Sequence, residues 1–281
     1  MKTAHCIPVL MYHHVSPEVG AITVSPRNFE RQMKGLVDAG YTTLTCDEFA
    51  DFLAGKPTPP KSVLLTFDDG YLDNWVYAHP ILKKYGLRAA MFVVTGLIGD
   101  GPARPCAEDD GARLPRLPSH LECRALWAVG STDSAMLRWS EMQAMREAGT
   151  FEFHCHTHTH TRWDQVSKTR EECLTHMREE FESSRALLKQ HLGEVSQHFC
   201  WPQGYFANDY VSLAQEFGFR YLYTTQAYGQ NLCISNPANV YRFSVKNQGP
   251  LWFLQRVWTS SHPLVGPLYN KWRLWKRKLR A

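Results

Sequence analysis

Two groups of side chains in this sequence have the types and the spacing that hydrolytic metal chemistry requires. Thr66-Phe67-Asp68-Asp69-Gly70 follows the apolar run Val63-Leu64-Leu65, so both acids stand at the carboxyl end of an expected strand. Adjacent carboxylates repel, and each needs a cation or a hydrogen-bond donor to stay ionised. Gly70 permits a sharp turn that lets both acids point into one space. Taken alone, the triplet also reads as a polar turn after a strand. The second group is the run Phe153 to His160, with His154, His156, His158 and His160 at alternate positions. An extended strand would array all four along one face. His156 and His160 are also four apart, so one helical turn would bring both rings to one side, a spacing suited to two imidazole ligands of a divalent ion. A carboxylate from the first group would complete the set and leave open positions for water and substrate. An ion held in this way polarises a poor electrophile such as an amide and acidifies the attacking water.

The elements that must carry these residues follow from hydrophobic patterning. Short buried strands are expected at 7–12, 62–67, 88–94, 151–156, 198–201, 221–225 and 240–245. Helical stretches lie between them at 26–39, 46–53, 72–85, 140–148, 168–191 and 208–217. Ser25 before Pro26 reads as an N-cap with proline at the first helical position. Glycines at 40, 86, 149 and 218 stand where helices would stop. Alternating strands and helices imply parallel strands joined by helical crossovers. About seven such repeats in one domain point to an α/β architecture, a nearly closed barrel with parallel strands. This fold places catalytic groups at the carboxyl ends of its strands, where Asp68 and Asp69 fall. Residues 99–137 break the rhythm with prolines, glycines and no clear periodicity, and read as an insert or lid loop.

Composition narrows the function classes. The 281 residues, 44% hydrophobic and 21% charged, suit one large globular domain. The formal charge of +4 hides an asymmetry. Lys271, Arg273, Lys276, Arg277, Lys278 and Arg280 are six cations without an acid among them, which leaves about −2 for the rest of the chain. A body so close to neutral argues against nucleic acid as a partner. The eight cysteines form no CxxC pair and read as buried thiols rather than a disulfide framework. The first residues lack the long apolar core of a signal peptide, so a cytoplasmic location is expected.

The motifs together resemble the polysaccharide deacetylase family, the NodB-homology carbohydrate esterases. The resemblance runs from about residue 6 to 246. It begins at Pro8-Val9-Leu10-Met11-Tyr12-His13-His14 and includes Thr66-Phe67-Asp68-Asp69-Gly70. It continues through Leu137-Arg138-Trp139-Ser140-Glu141-Met142, His156-Thr157-His158-Thr159-His160 and Trp201-Pro202-Gln203-Gly204. It implies a distorted (β/α)7-type barrel and an N-deacetylase acting on an amino-sugar glycan. Asp68 would be the general base, and Asp69, His156 and His160 would hold a divalent metal, usually zinc in the family. Thr157 would brace the histidine loop, and the backbone N–H of Gln203 would serve the oxyanion.

Two departures from the family pattern bear on function. Many members carry an arginine just before the proline turn, where this chain has Phe199-Cys200-Trp201-Pro202. Arg242, at the end of an expected strand, is either the substitute cation for the base or a surface arginine. The family's late histidine, the proton donor, is missing from Val240-Tyr241-Arg242-Phe243-Ser244-Val245, leaving His13, His14 and His158 as candidates. The barrel is expected over 1–267 and a basic amphipathic tail over 268–281. In the tail Leu268, Trp272, Trp275 and Leu279 fall on one helical face. Such a helix either lies in an anionic membrane interface, which would suit a lipid-linked amino sugar at the inner membrane, or packs back on the barrel. A non-catalytic glycan-binding barrel and a metal amidase acting on a non-sugar amide are the competing readings of the whole chain.

Overall fold

The computed structural model describes residues 3–279. In chain order the strands are β1 (Val9–Tyr12), β2 (His14–Val15), β3 (Thr23–Val24), β4 (Thr42–Thr43) and β5 (Ser62–Asp69). They continue with β6 (Ala89–Val93), β7 (Phe151–Cys155), β8 (His198–Cys200), β9 (Tyr221–Tyr223) and β10 (Phe243–Ser244). The helices are α1 (Pro26–Asp38), α2 (Cys46–Leu53), α3 (His79–Tyr85), α4 (His120–Ala128) and α5 (Trp139–Glu147). After them come α6 (Trp163–Val166), α7 (Arg170–Leu192), α8 (Asn208–Glu216), α9 (Pro250–Ser261) and α10 (Val265–Lys278).

The main sheet is wholly parallel in the order β10-β1-β5-β6-β7-β8-β9, with β4 on the side of β5. Its two ends meet through the segment before β10. Val240 donates its N–H to the Leu222 carbonyl, Thr224 N–H donates to Val240, and β10 then pairs with β1. Seven parallel strands thus curl into a nearly closed barrel, the architecture expected from the sequence. The two-residue strands β2 and β3 pair with each other outside it.

Strand parity decides what enters the barrel. Every residue of β5 is buried, because helices cover one face and the barrel interior receives the other. Val63, Leu65 and Phe67 join the core beneath the helices, whereas Leu64 joins the interior cluster with Val9, Ala90, Phe92 and Tyr223. Thr66 and Asp68 follow Leu64 in steps of two and face the same interior. Phe151, Phe153 and Cys155 of β7 pack outward, so Glu152, His154 and His156 take the inner parity. Phe243 and Val245 pack outward as well, which turns Arg242 inward.

Three segments differ from expectation. The helix expected over 72–85 opens as a π-turn, Asn74–Ala78, before α3, because Pro80 has no N–H to give a regular α register. The 99–137 insert contains α4, started by a capping box between Ser119 and Glu122. The insert is tied down where Arg104 donates to both oxygens of the buried Glu141 at 2.7 Å. Helix α9 was not anticipated from the sequence; it buries Phe253 and Val257. All eight cysteines are free thiols, and only Cys233 is exposed.

Candidate active site

At the carboxyl end of β5 the two aspartates diverge. Asp68 keeps the inward parity and meets Arg242 in a bidentate pair, Nη1 to Oδ1 at 2.7 Å and Nη2 to Oδ2 at 2.8 Å. Arg242 is 1% exposed, so of its two expected readings the surface arginine is excluded. Its remaining N–H groups reach the Thr224 carbonyl at 2.9 Å, Thr66 Oγ1 at 3.1 Å and Cys200 Sγ at 2.8 Å. All five guanidinium donors are therefore used, which fixes the fork and with it the carboxylate. Burial alone would raise the Asp68 pKa; the charge and hydrogen bonds of Arg242 outweigh it and hold the group below its ordinary value.

Asp69 leaves the strand with a φ of 76°, and Gly70 follows at 92°. That left-handed step swings the second carboxylate away from the helix side, where parity alone would send it, toward two histidines. Asp69 Oδ1 lies 3.4 Å from His156 Nε2 and 3.6 Å from His160 Nε2. Thr157 at φ 69° and His160 at φ 63° are also left-handed, so the rings converge through a strained loop rather than the helical turn expected from their spacing. Of the five described non-glycine residues with positive φ, three line this cleft, Asp69, His160 and Gln203, and a fourth, Thr157, bonds to His160. Each costs about 1–3 kcal/mol and persists only where the surroundings enforce it. Here Thr157 Oγ1 accepts the His160 N–H at 3.1 Å. The buried Glu180 carboxylate accepts the N–H groups of His158 at 2.6 Å and Thr159 at 2.8 Å.

The donor set fits a divalent cation. One donor atom each from Asp69, His156 and His160 lies within 4.8 Å of the others, and buried Asp69 Oδ1 has no hydrogen-bond partner. Directly bonded ion pairs close to about 2.7–2.9 Å. The longer separations seen here match ligands about 2.0–2.1 Å from a shared tetrahedral ion, which sit roughly 3.3 Å apart. His156 Nδ1 donates to the Cys200 carbonyl at 2.8 Å, which turns Nε2 toward Asp69. Burial would lower the pKa of this ring, but Cys200 and Asp69 outweigh it and hold it well above its ordinary value, so an ion would bind by displacing the Nε2 proton. Burial pushes His160 down to about 4, so its ring is neutral near pH 7. Asp68, His156 and Cys200 also lie close together, but both Asp68 oxygens are committed to Arg242.

The other two histidines of the run point elsewhere. His154 Nδ1 lies 2.6 Å from Ser196 Oγ, and His158 Nδ1 lies 3.1 Å from Thr95 Oγ1. Of the three candidate proton donors, His13 lines the cleft, with Nε2 3.9 Å from Asp68 Oδ2. Burial holds its pKa below the ordinary value although Asp68 and Asp69 pull the other way. His14 is instead buried against Asp73 at 2.6 Å, and its Nε2 lies 3.2 Å from His120 Nδ1. Gln203 lines the cleft between Pro202 and Gly204.

Sequence reasoning missed the wall supplied by the insert. His120 and Arg124 of α4 line the same cleft of about 240 Å³, and Tyr71 closes its floor against Trp127, ring centroids 5.6 Å apart. The usable signal was Ser119-x-x-Glu122, a helix-start pattern just after Pro118. Arg124 lies over the Trp127 ring at 5.0 Å and makes no ion pair among the described residues. Arg124→Ala is expected to raise KM for the substrate this cleft holds about 2- to 10-fold with kcat little changed, the signature of a lost binding contact read from steady-state kinetics.

A family model described as polysaccharide deacetylase matches residues 55–222. The chain is 46% identical over 94 residues to YxkH of Bacillus subtilis (strain 168), a match covering 33% of each protein. It is 38% identical over 87 residues to a poly-beta-1,6-N-acetyl-D-glucosamine N-deacetylase of Staphylococcus aureus (strain N315), covering 30% of this chain and 29% of that protein. The matched stretch thus spans about a third of the curated relatives. IcaB from Ammonifex degensii superposes with a TM-score of 0.71 at 25% identity, over 92% of this chain and 99% of that one. The Streptococcus pyogenes deacetylase PplD shares the fold with the same TM-score at 24% identity, over 93% of this chain and all of the other.

Proposed function

The chain belongs to the polysaccharide deacetylase family, and we propose that it hydrolyses the acetamido group of an amino-sugar glycan with a divalent metal, zinc being the best fit to the donor set. The observation that carries this reading is the division of labour between neighbouring acids. Asp68 is held ionised by Arg242, and Asp69 is aimed at the Nε2 atoms of two imidazoles. The Staphylococcus aureus relative, by its name, acts on an N-acetylglucosamine polymer, which supports an amino-sugar substrate.

Asp69, His156 and His160 would hold the ion, which when bound polarises the acetamide carbonyl and acidifies the attacking water. Asp68 accepts the proton of that water, and its depressed pKa keeps it ready to do so. Arg242 positions Asp68, and its fixed fork prevents the carboxylate from turning away. The Gln203 N–H is assigned to the developing oxyanion, where one preorganised donor contributes about 2.7–4 kcal/mol. His13 is assigned to relay to the leaving amine the proton that Asp68 takes from water, because it lines the cleft 3.9 Å from that base whereas His14 and His158 are held elsewhere.

The test is acetate release from β-1,6-linked and β-1,4-linked N-acetylglucosamine oligomers by the zinc-loaded protein. Turnover on either is the expected result. Binding of oligomers without acetate from any N-acetylated sugar would favour the glycan-binding reading instead.

A further inference from the structure

Helix α10 is docked by its polar side. Gly266, Asn270 and Arg273 recur at i, i+4 and i+7 and face the barrel. Asn270 Nδ2 donates to the Gly229 carbonyl at 3.2 Å, and Arg273 Nη2 donates to Tyr228 Oη at 2.8 Å. Gly266 allows the close approach, since a Cβ there would meet Gln230 Nε2 at 2.7 Å and the Thr259 carbonyl at 2.9 Å. The apolar set Leu268, Trp272, Trp275 and Leu279 begins two positions later, about 200° around the helix, and so covers the opposite side. Those four are 68%, 46%, 58% and 66% exposed. The alternative in which these residues pack back on the barrel is therefore excluded. Helices of globular proteins usually bury the apolar stripe and wet the polar one, and here the order is inverted.

Charge frames the exposed stripe. Lys271 and Lys278 fall along one edge and Lys276 along the other, with Lys276 Nζ 4.7 Å from the Trp272 ring centroid. None of the three makes an ion pair among the described residues. The sequence has no Asp or Glu after Glu216 that could offset them. No described helix is long and apolar enough to cross a membrane. Tryptophans and leucines on one side, with lysines at the margins, match a helix lying in the plane of a bilayer interface.

We infer that α10 is a docking surface for an anionic lipid bilayer, with Trp272 and Trp275 entering the interface and the flanking lysines meeting the headgroups. A second copy of the chain is a poorer occupant, because self-pairing of this acid-free helix would bring like charges together. The inference stands independently of the catalytic reading.

Flotation of the full chain with vesicles tests it. Binding to phosphatidylcholine–phosphatidylglycerol vesicles is expected, with weak binding to phosphatidylcholine alone and weakening at high salt. Lys271→Gln, Lys276→Gln and Lys278→Gln together should lower partition on the order of a hundredfold. Trp272→Ser with Trp275→Ser should lower it by more than about tenfold. Both sets lie on exposed positions, so an unchanged circular dichroism spectrum and melting temperature confirm that folding is intact. Failure to bind, equal binding to both vesicle types, or binding indifferent to the tryptophans overturns the inference. So does a concentration-dependent oligomer, or capture by an acidic protein, in the absence of vesicle binding.

Discussion

Asp68→Asn is expected to lower kcat for acetate release by about 10²–10⁴-fold while the protein still binds one zinc per chain. The amide nearly matches the carboxylate in size but cannot accept the water's proton, and Asp69, His156 and His160 remain in place. Asp69→Asn should behave differently, because it removes one of three donors and with it most metal affinity. Activity and metal content should therefore fall together in Asp69→Asn and separate in Asp68→Asn. Acetate release set beside elemental analysis of dialysed protein reads both quantities. If Asp68→Asn kept full turnover, the assignment of Asp68 as base would be wrong. If it lost the ion as Asp69→Asn does, the two acids would not have separate roles.

The diverging geometry of the two acids shows where the sequence was legible. The apolar run Val63-Leu64-Leu65 places the acids at a strand's carboxyl end, and alternation along β5 sends Asp68 into the barrel. The helix boundaries marked by Ser25-Pro26 and Gly86 lie where the structure has them, because caps are local chemistry. What sequence alone could not supply is long-range. Arg242 reaches Asp68 across 174 positions, through the segment that closes β9 onto β1, and a lone arginine gives no local sign of it. The i, i+4 spacing singled out the two of the four histidines that meet Asp69, but the structure joins them through a loop left-handed at Thr157 and His160 rather than a helical turn, and strand periodicity would have put all four on one face. The insert was opaque for another reason. Helix α4 buries only Cys123, so its apolar pattern is weak even though its cap is clear.

The second large effect concerns stability, and it follows from the burial of the Asp68–Arg242 pair. Arg242→Met is expected to destabilise the fold by about 3–5 kcal/mol, because it strands a buried carboxylate and the Thr224 carbonyl without their donors. Asp68→Asn should also lose stability, since it leaves a buried guanidinium without its counter-charge. The double variant, Asp68→Asn with Arg242→Met, removes both charges and should recover much of what either single change loses. Urea unfolding of the four proteins closes the cycle, with zinc held constant because a bound ion stabilises the folded state by mass action. Recovery of stability without recovery of acetate release would separate the two duties of the pair: the arginine makes a buried carboxylate tolerable, and the carboxylate performs the proton transfer. Additive losses would mean that the two side chains do not share one energy, and the claim that Arg242 positions the base would fail with them.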